Sequence, residues 1–190
     1  MPIMLRSTQY AKEIVDELAH VVHSISETDT KQFAERILQA KKIFIAGAGR
    51  SGLMARAFAM RLMQMGFETY VVGETITPNI DEDDILILGT GSGETKSLVL
   101  MAEKAKKLNA SIAVATIFRH STIGKLADLS VVLPAQPKTG GVDGGYKSIQ
   151  PMGALFEQSL LVFYDAVILQ LMAMQGADSD TMFTRHANLE

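Results

Sequence analysis

Three hydroxyls and three glycines share seven consecutive positions, Gly89-Thr90-Gly91-Ser92-Gly93-Glu94-Thr95. The stretch follows the apolar run 85–88 and precedes a helical pattern carried by Leu98, Ala102, Ala105 and Leu108. Strand, small polar loop and helix in that order leave backbone N–H groups free at the positive end of the helix. Glycine lets the backbone approach an anion closely, and the hydroxyls of Thr90, Ser92 and Thr95 can donate to its oxygens. The chemistry this composition suits is holding a phosphate.

A second loop, Gly47-Ala48-Gly49-Arg50-Ser51-Gly52, follows the apolar run 43–46. Its glycines admit three readings. Gly47-x-Gly49-x-x-Gly52 matches the dinucleotide fingerprint, and Glu74 stands where a ribose-binding acid is expected. That reading leaves Thr90, Ser92 and Thr95 without a task. The P-loop reading needs a lysine where the chain has Leu53. The third reading places a sugar phosphate between both loops, with Gly49, Arg50 and Ser51 facing Thr90 to Thr95, and it uses every feature. A purely structural reading, in which Ser51 and Ser92 only cap helices, does not require a triple-glycine loop.

The elements that must position these loops alternate. Apolar runs at 43–46, 69–72, 85–88, 112–116 and 129–133 read as strands, with helical patterns between them. Continuously apolar strands alternating with helices predict a parallel sheet covered on both faces. In the doubly wound order 2-1-3-4-5 the first and third strands are neighbours at the switch point, so their loops meet over one ligand. The expected fold is a three-layer α/β, flavodoxin-like sheet of five strands with an N-terminal helical arm. The expected division is one domain: helices over 1–40, a phosphate-binding core over 41–133, a loop over 134–150, and a helix and tail over 151–190.

Two helices, about 8–25 and 30–40, precede the first strand and are expected to pack on the core or on another subunit. Residues 134–150 are rich in Gly and Pro and read as a lid or a plain connector. The helix over 151–174 is apolar nearly all round, but Glu157, Gln158, Asp165 and Gln170 interrupt it. It therefore reads as a helix buried on several sides, partly by another subunit, and not as a membrane span.

Composition bounds the partners. The chain has 190 residues, 47% hydrophobic and 21% charged, with net charge −3. No electrostatic case exists for nucleic acid or an anionic membrane. Without cysteine there are no disulfides or thiolate nucleophiles. The acidic run 81–84 lacks EF-hand spacing, and His20 with His23 reads as a surface or interface pair. No apolar leader opens the chain, so a cytoplasmic protein is expected.

Gly47-Ala48-Gly49-Arg50-Ser51 and Thr90-Gly91-Ser92-Gly93-Glu94-Thr95 resemble the first motif and the phosphate loop of the sugar isomerase (SIS) family. The resemblance runs from the first strand through the helix at 150–158. Within the family, Gln150-Pro151-Met152-Gly153-Ala154-Leu155-Phe156-Glu157 and the tail Arg185-His186-Ala187-Asn188-Leu189-Glu190 resemble the 6-phospho-3-hexuloisomerase group. That likeness implies interconversion of D-arabino-3-hexulose 6-phosphate and fructose 6-phosphate in formaldehyde fixation by the ribulose monophosphate route. It also implies a homo-oligomer, a tetramer, with no metal or organic cofactor and a functional link to a hexulose-6-phosphate synthase.

Moving a carbonyl from C3 to C2 takes a proton from one carbon and returns it to the other through a cis-enediol, which one base can do. Glu157, a carboxylate early in an apolar helix, is the candidate base. Glu94 is the rival, placed by the pattern in the first turn of the phosphate helix and read as structural. His186 suits proton transfer at the oxygens near neutral pH, from its own or a neighbouring subunit. Arg50 is placed to screen the phosphate or the enediolate. The same loops would also suit an isomerase of arabinose 5-phosphate or a heptose phosphate, or a phosphosugar-sensing module.

Overall fold

Along β1 (Ile43–Gly47), Ile43 and Ile45 enter one buried cluster while Phe44 and Ala46 enter another. β3 (Ile85–Gly89) divides in the same way, Ile85 and Ile87 against Leu86 and Leu88, and so does β4 (Ser111–Thr116). Period-2 alternation with both faces apolar requires a covering layer on each side. The computed structural model describes residues 6–138 and 147–189. With β2 (Thr69–Val71) and β5 (Leu129–Val132) the strands form a five-stranded parallel sheet in the order β2-β1-β3-β4-β5. The expected doubly wound topology is the one observed.

One face of the sheet is covered by α1 (Ser7–Val22), α2 (Glu27–Gln39), α3 (Gly49–Met65) and α6 (Ala154–Gln175). The other carries α4 (Lys96–Lys107) and α5 (Thr122–Leu126). A short α7 (Ser179–Phe183) packs beside α3.

The N-terminal arm belongs to the core, since Val21, Phe33 and Ile37 are fully buried and α1 lies against α6. α6 is long and apolar enough to cross a membrane by length and composition. Instead Leu160, Tyr164, Val167 and Leu171 are buried in protein. The Tyr164 ring stacks on Phe58 at 4.2 Å, and Phe163 meets Phe33 edge-on at 5.3 Å.

Three element starts differ from the periodicity. α2 begins at Glu27 and not near residue 30, because Ser26 caps it by accepting from the Asp29 N–H. α6 begins at Ala154 and not at Pro151, because Met152 (φ 58°) and Gly153 (φ 76°) turn the chain through the left-handed region first. α4 begins at Lys96, so Glu94 lies in the loop before the helix and not in its first turn. Of the stretch predicted as a loop, residues 139–146 fall outside the described residues.

Candidate active site

Both glycine loops open at the C-terminal edge of the sheet, at the switch point between β1 and β3. They floor a cavity of about 620 Å³, a size that suits a small metabolite. Ala48, Gly49 and Ser51 line it from the start of α3, Thr90 to Ser92 with Glu94 and Thr95 from the loop before α4, and Gly153, Phe156 and Glu157 from the start of α6. The N-cap residues of these three helices, Ala48, Thr95 and Gly153, make no side-chain capping hydrogen bond. Helix N-termini without side-chain caps around one cavity concentrate positive potential and donors there.

Gly47 and Gly52 bring β1 and α3 into contact. A Cβ on Gly52 would lie 2.7 Å from the Gly47 carbonyl oxygen, so the first loop exists only with glycine at that position. The second loop is held from within. Thr90 Oγ1 accepts from the Gly93 N–H at 3.2 Å, and Ser92 Oγ accepts from the Glu94 N–H at 3.2 Å. Gly91 O accepts from Thr116 Oγ1 and from the Ile117 N–H, which fastens the loop to the end of β4. Gly93 is left-handed (φ 66°), and a Cβ there would sit 2.0 Å from Ser121 Oγ.

The helix-cap reading of the serines fails on these positions. Ser51 lies inside α3 and is buried, and Ser92 stands before α4 and bonds within the loop.

Glu94, the rival base by sequence, is engaged elsewhere in this geometry. Its two carboxylate oxygens accept from the Thr122 N–H and hydroxyl, each at 2.7 Å. Those bonds, the backbone one first, hold the Glu94 carboxyl below the usual carboxylate range. The side chain ties the phosphate loop to the start of α5.

Glu157 meets the expectation of burial, at 4% exposed in the first turn of α6. Each of its oxygens faces a cation: Arg50 Nη1 at 3.2 Å from Oε2, and Lys138 Nζ at 3.4 Å from Oε1. The first loop therefore supplies a guanidinium to the carboxylate as well as a helix start to the cavity. Lys138 was not among the residues picked from sequence. One of two lysines in a Gly- and Pro-rich stretch carries no pattern that would single it out. His120 and Ser121 also line the cavity. Their signal was position, since the loop after β4 opens at the same sheet edge as the other two.

His186 is placed elsewhere. It is exposed, stacks on Phe183 at 5.7 Å between ring centroids, and shares a groove with Arg61, Gln64 and Asp165. Within one protomer it does not line the Glu157 cavity. Glu74, the acid a dinucleotide reading requires, is ion-paired with Arg56 of α3 and lines a different groove. Among the described residues no group of three His, Asp or Glu stands together in a way that would hold a metal ion.

Residues 36–162 match the SIS domain family. The chain is 55% identical over 186 residues to the 3-hexulose-6-phosphate isomerase of Bacillus subtilis (strain 168), covering 98% of this chain and 100% of that one. It is 42% identical to the 3-hexulose-6-phosphate isomerase of Mycobacterium gastri over 92% of this chain and 87% of the relative. Among solved structures, a Methanococcus jannaschii protein superposes with a TM-score of 0.83 at 36% identity, covering 96% of this chain and 99% of that one. Its crystal structure was reported to infer a molecular function of 3-hexulose-6-phosphate isomerase. The chain belongs to the SIS domain family.

Proposed function

We infer that the protein interconverts D-arabino-3-hexulose 6-phosphate and fructose 6-phosphate. The observation that carries this reading is Glu157, a buried carboxylate on the cavity shared by the starts of α3 and α4. It does so in a chain more than half identical to an isomerase of that substrate.

The phosphate sits on the loop donors, with Gly49 and Ser51 on one side and Thr90, Gly91, Ser92, Gly93 and Thr95 on the other. Glu94 braces that loop through its bonds from Thr122. Glu157 takes the C2 proton of the hexulose. The C2–H pair becomes the C2–C3 double bond, and the C3 carbonyl pair moves onto its oxygen. Arg50 and Lys138, released from neutralising the now protonated Glu157, stabilise that oxyanion. Return of the proton from Glu157 to C3, with transfer of the O2 proton to O3, leaves the C2 carbonyl and the C3 hydroxyl of fructose 6-phosphate. A positioned base of this kind contributes ~10²–10⁴-fold.

His186 moves protons between the oxygens of the enediol, and it does so in the site of a neighbouring copy. Its distance from Glu157 within one chain supports this arrangement. A homo-oligomer, a tetramer, is further supported by large apolar side chains left exposed on α3 and the C-terminal region, among them Leu53, Met63, Leu169 and Phe183. One domain carries the whole activity, in the cytoplasm, on substrate supplied by a hexulose-6-phosphate synthase.

The test is formation of fructose 6-phosphate from 3-hexulose 6-phosphate generated in situ, with arabinose 5-phosphate and a heptose phosphate as competing substrates. Turnover of the hexulose phosphate in preference to both supports the reading. Turnover of one of the others in its place assigns a different isomerase. Sugar phosphate binding with no turnover assigns a sensing module.

A further inference from the structure

Glu17 is a buried carboxylate that the isomerisation does not use. It stands on α1, outside the residues matched to the family, and is 4% exposed. Its Oε1 accepts from the Ile149 N–H at 2.7 Å, and its Oε2 accepts from Ser148 Oγ at 2.7 Å and Gln150 Nε2 at 2.9 Å. Burial pushes this carboxyl up. The hydrogen bonds from Gln150, Ser148 and Ile149 outweigh burial and hold it below the usual carboxylate range. A buried carboxylate bonded by three consecutive residues fixes that segment far more firmly than apolar contact would.

The fixed segment leads directly to the catalytic helix. The Ser148 N–H donates to Gln136 Oε1 at 2.7 Å, which joins 147–150 to residues 136–138. Beyond Gln150 the chain turns at Met152 and Gly153 and enters α6. Lys138 lies against that turn, its Cγ 3.0 Å from where a Gly153 Cβ would be, and its Nζ reaches Glu157.

We propose that Glu17 is a positioning residue for the reaction, locking residues 148–150 and, through Gln136, the chain at Lys138, so that the Lys138 ammonium meets the Glu157 carboxylate. The N-terminal arm is on this account part of the active site and not only a cover for the sheet. The proposal rests on the isomerase reading above.

Glu17→Gln leaves one acceptor oxygen where three donors converge and sets an amide donor against Gln150. In the full-length protein, Glu17→Gln lowers kcat ~10- to 100-fold, the range expected for small misplacement of a reacting group, with KM for the sugar phosphate little changed. In a Lys138→Ala background the same substitution adds little further loss, because the two act through one contact. A purely structural Glu17 would lower Tm and leave kcat per folded enzyme at the wild-type value. That result, or an undiminished effect in the Lys138→Ala background, overturns the proposal.

If Glu17→Gln does not fold, Ser148→Ala, which keeps the carboxylate and two of its donors, carries the same comparison. An inactive wild type contradicts the isomerase reading instead. Amide hydrogen exchange over 147–157 then decides on the lock itself. Faster exchange there in the variant supports it, and unchanged protection overturns it.

Discussion

Arg50 and Glu157 stand 107 positions apart in the chain, yet Arg50 Nη1 lies 3.2 Å from Glu157 Oε2. The contact exists because α3 and α6 both start at the same sheet edge and pack side by side. In the proposed reaction Arg50 pairs with the Glu157 carboxylate and then meets the enediolate once Glu157 has taken the proton. Arg50→Met is expected to lower kcat about 10²-fold, as for removal of one oxyanion donor. Steady-state kinetics check this. Loss confined to KM would place Arg50 on the phosphate instead.

Thr95 precedes α4 and its hydroxyl makes no capping bond. Thr95→Val is therefore expected to leave Tm unchanged. Loss of a charge-assisted hydrogen bond of ~1.5–3 kcal/mol to the phosphate should raise KM for the sugar phosphate roughly 10- to 100-fold. Thermal melts and saturation kinetics on one preparation test both parts.

The layers and the two glycine loops were legible because each rests on local pattern, and the strand order because it is the common doubly wound one. Ile43 to Ala46 and Ile85 to Leu88 alternate between two cores, and Gly47, Gly52, Gly89 and Gly93 stand where a Cβ would collide. Glu157 was legible as a charge in an apolar helix. Lys138, Gln136 and Glu17 were not, because their roles come from contacts between distant segments that periodicity does not encode. The start of α6 was misplaced because Pro151 suits a first turn, while the positive φ values of Met152 and Gly153 are set by packing. His186 shows the opposite limit: a tail motif marks it for chemistry, while the fold places it in a groove away from the Glu157 cavity.

Glu94 gives a pH dependence of known sign. The bonds from Thr122 lower its carboxyl in the folded protein relative to the unfolded chain. The stabilisation is therefore fully present above the unfolded-state value and is lost as pH falls through the folded-state value. Wild type is expected to melt above Glu94→Ala at neutral pH, with the gap closing as the pH drops through the carboxylate range. At neutral pH the variant should lose far less turnover than Glu157→Gln. A gap that stays constant with pH would contradict the assignment of Glu94 as an ionised tie.

A site completed by His186 of a second copy predicts complementation. His186→Ala and Glu157→Gln are each expected to be nearly inactive alone. Mixed and allowed to reassociate, they should regain a measurable fraction of wild-type turnover, because some sites then carry both native residues. Wild-type turnover in His186→Ala, or no recovery on mixing despite exchange of subunits seen by mass spectrometry, contradicts the shared site.

In the proposed reaction Glu157 moves the proton between C2 and C3. The most direct measurement is the turnover of 3-hexulose 6-phosphate to fructose 6-phosphate by wild type and Glu157→Gln, with fructose 6-phosphate affinity measured on both. The expected result is an active wild type and a variant slower by ~10²–10⁴-fold that still binds the sugar phosphate. A variant that keeps full turnover would show that another group is the base.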